Sequence, residues 1–347
     1  MRKNKITSTK KKVLKFLLVL LITILIIILA AGGTAFWYVS DKFSKLQTME
    51  IDAERLGISE NKNLEGYRNV AIFGVDSRAD DYGTGNRSDC IIIASINNNT
   101  HDVKLISVYR DTYVQIEGRG LDKITHAYSY GGAELALKTL NENLDLNIKE
   151  FVTVNFDAVA DAVDALGGIK MNITSAEVKY INSYIDETSK VTGNKSKHIT
   201  KAGTYTLDGV QAVAYSRIRY TSGGDYRRTE RMRDVITAMV AKLKTKSLSE
   251  MNTIANKILP KVHTNLSMTD LLSMAPAVTS FNVAESIGWP YQTKGATIGK
   301  VWYGIPITLE NNVKKLHQEV FNDATYEVPS RIKTISQKIV SKSGYSN

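Results

Sequence analysis

From Phe16 to Tyr38 the chain runs FLLVLLITILIIILAAGGTAFWY without one charged residue. No other feature narrows the possible architectures as far. Rising about 1.5 Å per residue, a helix of that length crosses a hydrocarbon core of about 30 Å. Trp37 and Tyr38 close the run, where interfacial aromatics belong. Ahead of it, Arg2, Lys3, Lys5, Lys10, Lys11, Lys12 and Lys15 form a tail that contains no acid. Such a basic flank stays cytoplasmic, so a single-pass cell-membrane protein is expected, with its N-terminus cytoplasmic and the remainder extracellular. A cleaved signal peptide is the competing reading, but its apolar stretch usually spans about 7–15 residues. A buried core helix sits badly with the basic flank.

The net charge of +10 invites a nucleic-acid partner until it is located. Seven of those charges lie in the tail, which leaves +3 for everything else, so no nucleic acid is expected. Hydrophobic residues make up 43% of the chain, enough for a sizeable core. Cys90 is the single cysteine, which excludes an intramolecular disulfide. In the run CIIIAS it reads as a small buried apolar residue. None of the five histidines has a spacing that suits zinc or a thiol nucleophile.

The organisation read from the chain is a cytoplasmic tail at 1–15, a transmembrane signal anchor at 16–38, a polar stalk at 39–65, one domain at 66–325 and a loose basic tail at 326–347. Apolar runs predict strands at Val70–Val75, Cys90–Ile96 and Val103–Tyr109, the last two joined by the turn NNNTHD. Gly131–Leu144 and Asp157–Leu166 read as helices, Phe151–Phe156 and Gly168–Ile173 as strands. Residues 175–205 read as an exposed insertion or lid. Helices follow near 208–216, 226–244, 267–280 and 309–322, with a strand near 300–307. The expected fold class is α/β, an α/β/α sandwich on a central mixed sheet, preceded by one N-terminal transmembrane helix.

Charges interrupt the apolar strands at particular places. Asp76 and Arg78 follow the first, Arg87 and Asp89 open the second, and Arg110 and Asp111 follow the third. If the three are antiparallel neighbours, all six charges meet at one edge of the sheet. A solvated rim of salt bridges is the plain reading of such a group. The segment YSRIRYTSGGDYRRTERMR argues for more, because it holds Arg217, Arg219, Arg227, Arg228, Arg231 and Arg233 and no lysine. Arginine is favoured where planar, bidentate contact with phosphate is needed. With Asp225 as N-cap, Arg228 lies on the apolar stripe of the following helix, four residues before Met232. Arginines in a first turn oppose the helix dipole, and a bound phosphate removes the conflict. Asp76 and Asp89 are a suitable pair for Mg2+ (or Mn2+) bridging phosphate oxygens. No Walker-type glycine loop is present, which argues against a nucleotide.

These segments resemble a known family. GVDSR at 74–78, RSD at 87–89, SVYRDTYVQI at 107–116, KITHAYSYGG at 123–132 and ALGGIKMNI at 165–173 look like those of LytR-CpsA-Psr proteins. So do LDGVQAVAYSRIR at 207–219, GDYRRTERMR at 224–233 and GIPITLENNVKKLHQEVF at 304–321. The resemblance implies a Gram-positive cell-wall phosphotransferase that moves a glycopolymer (teichoic acid, capsule or another wall polysaccharide) from undecaprenyl pyrophosphate to a peptidoglycan hydroxyl. It also implies a hydrophobic groove for the polyprenyl tail. By the same resemblance Asp76 and Asp89 are metal-associated. Arg87, Arg110, Arg217 and Arg219 are pyrophosphate-binding, and Arg228 and Arg231 are the arginines of the final motif. Arg78 joins the pyrophosphate set, and Asp76, Asp89 and Arg110 the catalytic set. Family members often have glutamine where this chain has Met232. Rival functions are a polyprenyl-pyrophosphate phosphohydrolase, a membrane-bound transcriptional attenuator and a non-enzymatic wall-binding protein.

Overall fold

The structure, a computed structural model, describes residue 37 and residues 40–77, 81–267, 269–270 and 282–346. The expected membrane segment (apart from Trp37), Arg78 and most of the helix expected at 267–280 lie outside the described residues. Among the described residues no helix is long and apolar enough to cross a membrane.

Along the chain come β1 (Gln47–Thr48), β2 (Tyr67–Val75), β3 (Ser88–Asn97), β4 (Asp102–Val108), β5 (Tyr113–Ile116), β6 (Gly120–Lys123) and α1 (Thr125–Leu144). Then follow β7 (Glu150–Asn155), α2 (Phe156–Ala165), β8 (Ile169–Ile173), α3 (Ser175–Thr192), β9 (Gly203–Leu207), α4 (Gly209–Arg217) and α5 (Gly224–Leu243). The last part holds α6 (Leu248–Ile258), β10 (His263–Thr264), β11 (Asn282–Trp289), β12 (Thr293–Ile298), β13 (Val301–Pro306), α7 (Leu309–Val320) and α8 (Ser330–Ser343). Among the described residues seven strands form one mixed sheet, in the order β1-β10-β7-β2-β3-β4-β11. Within it β2, β3 and β4 are antiparallel neighbours, while β7 and β11 run parallel to β2 and β4.

Both sheet faces are covered, as the unbroken apolar strands require. On one face Phe73, Ile91, Ile93 and Ile106 pack with Leu137 of α1, Leu316 of α7 and Ile335 of α8. On the other, Ile92, Ala94 and Leu105 meet Ile236 of α5. A second core joins α2, α3 and α4 to the β8–β9 hairpin through Val163, Ile169, Ile181 and Val210.

Several expectations need correction. The supposed lid at 175–205 begins with α3, whose Thr174–Glu177 capping box and buried Ile181 and Ile185 make it part of the second core. The supposed loose tail carries α8, with Ile332, Ile335 and Ile339 on its buried side. The stalk contributes Leu56 and Leu64, both fully buried, so the folded unit starts well before residue 66. Helix α1 begins at Thr125 rather than Gly131, because Gly132 (φ 63°) kinks it instead of starting it. The strand expected near 300–307 is present as β13, which pairs with β12 in a hairpin outside the main sheet.

Candidate active site

The antiparallel register pairs Val75 with Ser88 and Ile92 with Ser107. The exits of β2 and β4 therefore lie beside the start of β3, which collects Asp76, Arg87, Asp89 and Arg110 at one end of the sheet. Thr125 ties that end down: its amide donates to the Arg110 carbonyl at 3.1 Å and its hydroxyl to the Ser88 carbonyl at 2.9 Å.

At the centre, Arg110 Nη1 donates to Asp89 Oδ1 at 2.8 Å. Its Nη2 lies 3.6 Å from Asp225 Oδ1 and its Nε 3.5 Å from Asp111 Oδ2. Arg228 Nη2 donates to Asp225 Oδ2 at 3.1 Å and to the Asp89 carbonyl at 3.4 Å. Asp225 is not the helix cap expected: α5 starts from Gly223, which leaves the Asp225 carboxylate free to bridge the two arginines. Burial pulls the Arg110 guanidinium down, but Asp89 and Asp225 prevail and its pKa rises. Arg228 is only 4% exposed, and there burial prevails, helped by Arg110 and Arg219, so its pKa falls below the usual range. Its Nε is buried and meets no hydrogen-bond acceptor among the described residues. An unpaired buried donor costs about 1–3 kcal/mol, and an anion at this position offsets that cost.

The other arginines divide. Arg87 and Arg219 are exposed, as is Asp76. Arg217 packs over the rings of Phe156 and Tyr184 and donates to Thr188 Oγ1 at 3.2 Å. Arg231 is not part of the cluster. Buried and facing α3, it donates from Nε to Glu177 at 2.8 Å, from Nη1 to the Ile218 carbonyl at 3.0 Å and from Nη2 to Thr221 at 2.7 Å. Each of its nitrogens has a protein partner, so its role is to hold α3 and the 218–221 loop onto α5.

Next to the charges lies an apolar cavity of about 240 Å³ between sheet and helices, walled by Gly74, Cys90, Phe156, Val159, Met232 and Ile236 among others. Met232 thus contributes to an apolar wall. Among the described residues no group of three or more His, Cys, Asp or Glu side chains gathers as a metal site; the carboxylates at the charged end that would suit an ion completing its shell with phosphate oxygens and water are Asp76 and Asp89.

A second cleft was not legible in the sequence. The loop after β4, the start of α5 and the β12–β13 hairpin border a groove in two adjacent parts, of about 180 and 460 Å³, whose linings share Tyr109, Tyr226 and Thr293. Its aromatic residues lie on three elements far apart in the chain, so no local pattern marks them.

Comparisons with known proteins follow the same lines. The LytR_cpsA_psr family profile matches residues 35–318. The polyisoprenyl-teichoic acid–peptidoglycan teichoic acid transferase TagT of Bacillus subtilis is 35% identical over 232 residues, 65% of this chain and 69% of its own length. TagU of Enterococcus faecalis, a transferase of the same description, is 33% identical over 247 residues, 70% of this chain and 76% of its own. Among solved structures, the LytR-CPS2A-psr family protein YwtF (TagT) with bound octaprenyl pyrophosphate lipid matches with a TM-score of 0.54 at 28% identity. That match covers 75% of this chain and 93% of the other.

Proposed function

This chain belongs to the LytR_cpsA_psr family, and from that premise we propose that it is a phosphotransferase moving a glycopolymer from undecaprenyl pyrophosphate to a sugar hydroxyl of peptidoglycan. The observation that carries this reading is the adjacency of the Arg110–Arg228 cluster to the apolar cavity. A polyprenyl pyrophosphate needs both at once, guanidiniums for its head and an apolar wall for its tail. The names of the relatives, and the pyrophosphate lipid bound by one of them, support it.

In the reaction proposed, the acceptor hydroxyl oxygen bonds to the phosphorus next to the glycopolymer, and the bond from that phosphorus to the bridging oxygen breaks. Polyprenyl phosphate leaves and a phosphodiester remains. Arg110 and Arg228 hold the pyrophosphate and stabilise the charge that grows on the leaving phosphate. The exposed Arg87 and Arg219 serve its outer oxygens, and Arg217, packed over the cavity-wall residue Phe156, lies near the tail. The hydroxyl proton goes to a carboxylate of the cluster, for which Asp76 and Asp89 are the candidates. Mg2+ held by the same two residues would supply Lewis-acid neutralisation of the phosphates. The basic tail and uncharged run at the N-terminus fit a membrane anchor, which keeps the domain beside a lipid substrate.

Full-length protein given labelled lipid-linked glycopolymer and purified peptidoglycan is expected to yield labelled wall. Label released only as soluble polymer would identify a hydrolase and overturn the transfer.

A further inference from the structure

We propose that the groove between the β12–β13 hairpin and the start of α5 is the binding site for the acceptor glycan strand. This inference rests on the transfer reading above and adds where the second substrate lies.

Helix α5 orders the three parts of the site. Gly223, Gly224, Asp225 and Tyr226 line the groove, Arg228 belongs to the charged cluster, and Met232, Ile236 and Met239 wall the apolar cavity. The sheet repeats that order independently. Tyr109 and Asp111 line the groove, Arg110 and Asp89 form the cluster, and Cys90 and Gly74 wall the cavity. Groove and cavity therefore lie on opposite sides of the pyrophosphate position. In phosphoryl transfer the attacking and leaving oxygens stand roughly in line across phosphorus. If the lipid phosphate departs on the cavity side, the nucleophile arrives from the groove.

The lining suits a sugar. A hexosamine ring offers apolar C–H faces to aromatic rings and a rim of hydroxyls to polar groups. Trp302 is 45% exposed, and it lies across Gly295 of the neighbouring strand, where a Cβ would come within 2.8 Å of the indole. Glycine at that position leaves the ring flat on the hairpin with its face available. Tyr226 stands edge-on to Tyr109 at 4.5 Å. Asp111 and Asp225 at the inner end, with Thr293 and Gln292 further out, are acceptors and donors for hydroxyl groups. The platform is fixed relative to the charges, because the Gly304 amide of the hairpin donates to the Asp111 carbonyl at 2.9 Å.

The test titrates full-length protein in detergent with three probes: a peptide-free GlcNAc–MurNAc tetrasaccharide, octaprenyl pyrophosphate and lipid-linked glycopolymer. Trp302→Ala is expected to weaken the tetrasaccharide at least tenfold while binding both lipids within twofold of the unaltered protein. Trp302→Phe, which keeps a ring, should recover most of the saccharide affinity. Gly295→Val, which displaces the indole without removing it, should lose it again. Unchanged saccharide binding in the alanine variant, or no saccharide binding by the unaltered protein, overturns the assignment. Selective loss of the lipid-linked glycopolymer also overturns it, by making the groove a donor site. Failure of the unaltered protein to bind octaprenyl pyrophosphate counts against the transfer reading instead, so the two failures are distinct.

Discussion

At the scale of single residues, two arginines three positions apart have opposite fates. Arg228 keeps a buried donor without an acceptor among the described residues, while Arg231 places every nitrogen on a partner inside the fold. Their substitutions should separate accordingly. Arg110→Ala, at the centre of the cluster, is expected to lower transfer about 10²–10³-fold, as the loss of a charge-stabilising donor does. Its circular dichroism should stay native, and wild-type turnover by that folded variant would remove Arg110 from the mechanism. Arg231→Ala leaves Glu177 buried without its cation, a loss of about 3–5 kcal/mol. Denaturant titration should show that loss, and an unshifted midpoint would contradict it. The arginine-only composition of the segment was readable from sequence, and the structure brings one of those arginines, Arg228, beside Arg110. Which arginine would do so was not readable, because the partner that claims Arg231 stands in α3, over fifty residues upstream.

At the scale of elements, what was legible followed from local pattern. Three apolar runs flanked by charges gave the antiparallel strands and the edge on which Asp89 and Arg110 meet. Helices α3 and α8 were missed although their stripes are present, Ile332, Ile335 and Ile339 in the second case, because a lysine-rich composition outweighed the spacing. Strand β11 has no clear alternation, and its parallel pairing with β4 joins residues 180 positions apart. The buried stripe of α8 carries a measurable share of stability. Ile339→Ala should cost about 2–5 kcal/mol in equilibrium unfolding. A variant as stable as the parent would mean that α8 only rests on the domain.

Taken whole, the molecule closes its two ends over one buried histidine. His317 of α7 is fully buried and stacked on Tyr326 at 3.8 Å. Its Nε2 lies 3.1 Å from the Leu144 carbonyl and its Nδ1 3.4 Å from the Asn61 amide nitrogen, which assigns the proton to Nε2. Burial pulls its pKa below the ordinary value of about 6.5, against the opposing pull of the Leu144 carbonyl, Asp145 and Asp323. The unfolded chain thus takes up the proton first. The stabilisation is complete above about pH 6.5 and is lost as pH falls through the lower folded value. The melting temperature should fall on that acid limb, and His317→Gln should flatten it. Equal slopes in the two proteins would rule out His317 as its source.

The lone sulfhydryl turns one of these features to use. Cys90 faces the apolar cavity, and burial pushes its thiol up to about 12. Being protonated at every working pH, it resists reagents that require the thiolate. If the cavity holds the isoprenoid chain of the proposed substrate, that chain covers the sulfur and slows further the reaction of a small uncharged reagent with the little thiolate formed at raised pH. Labelling speed before and after a lipid extraction therefore gauges what fraction of each preparation left the cell already loaded.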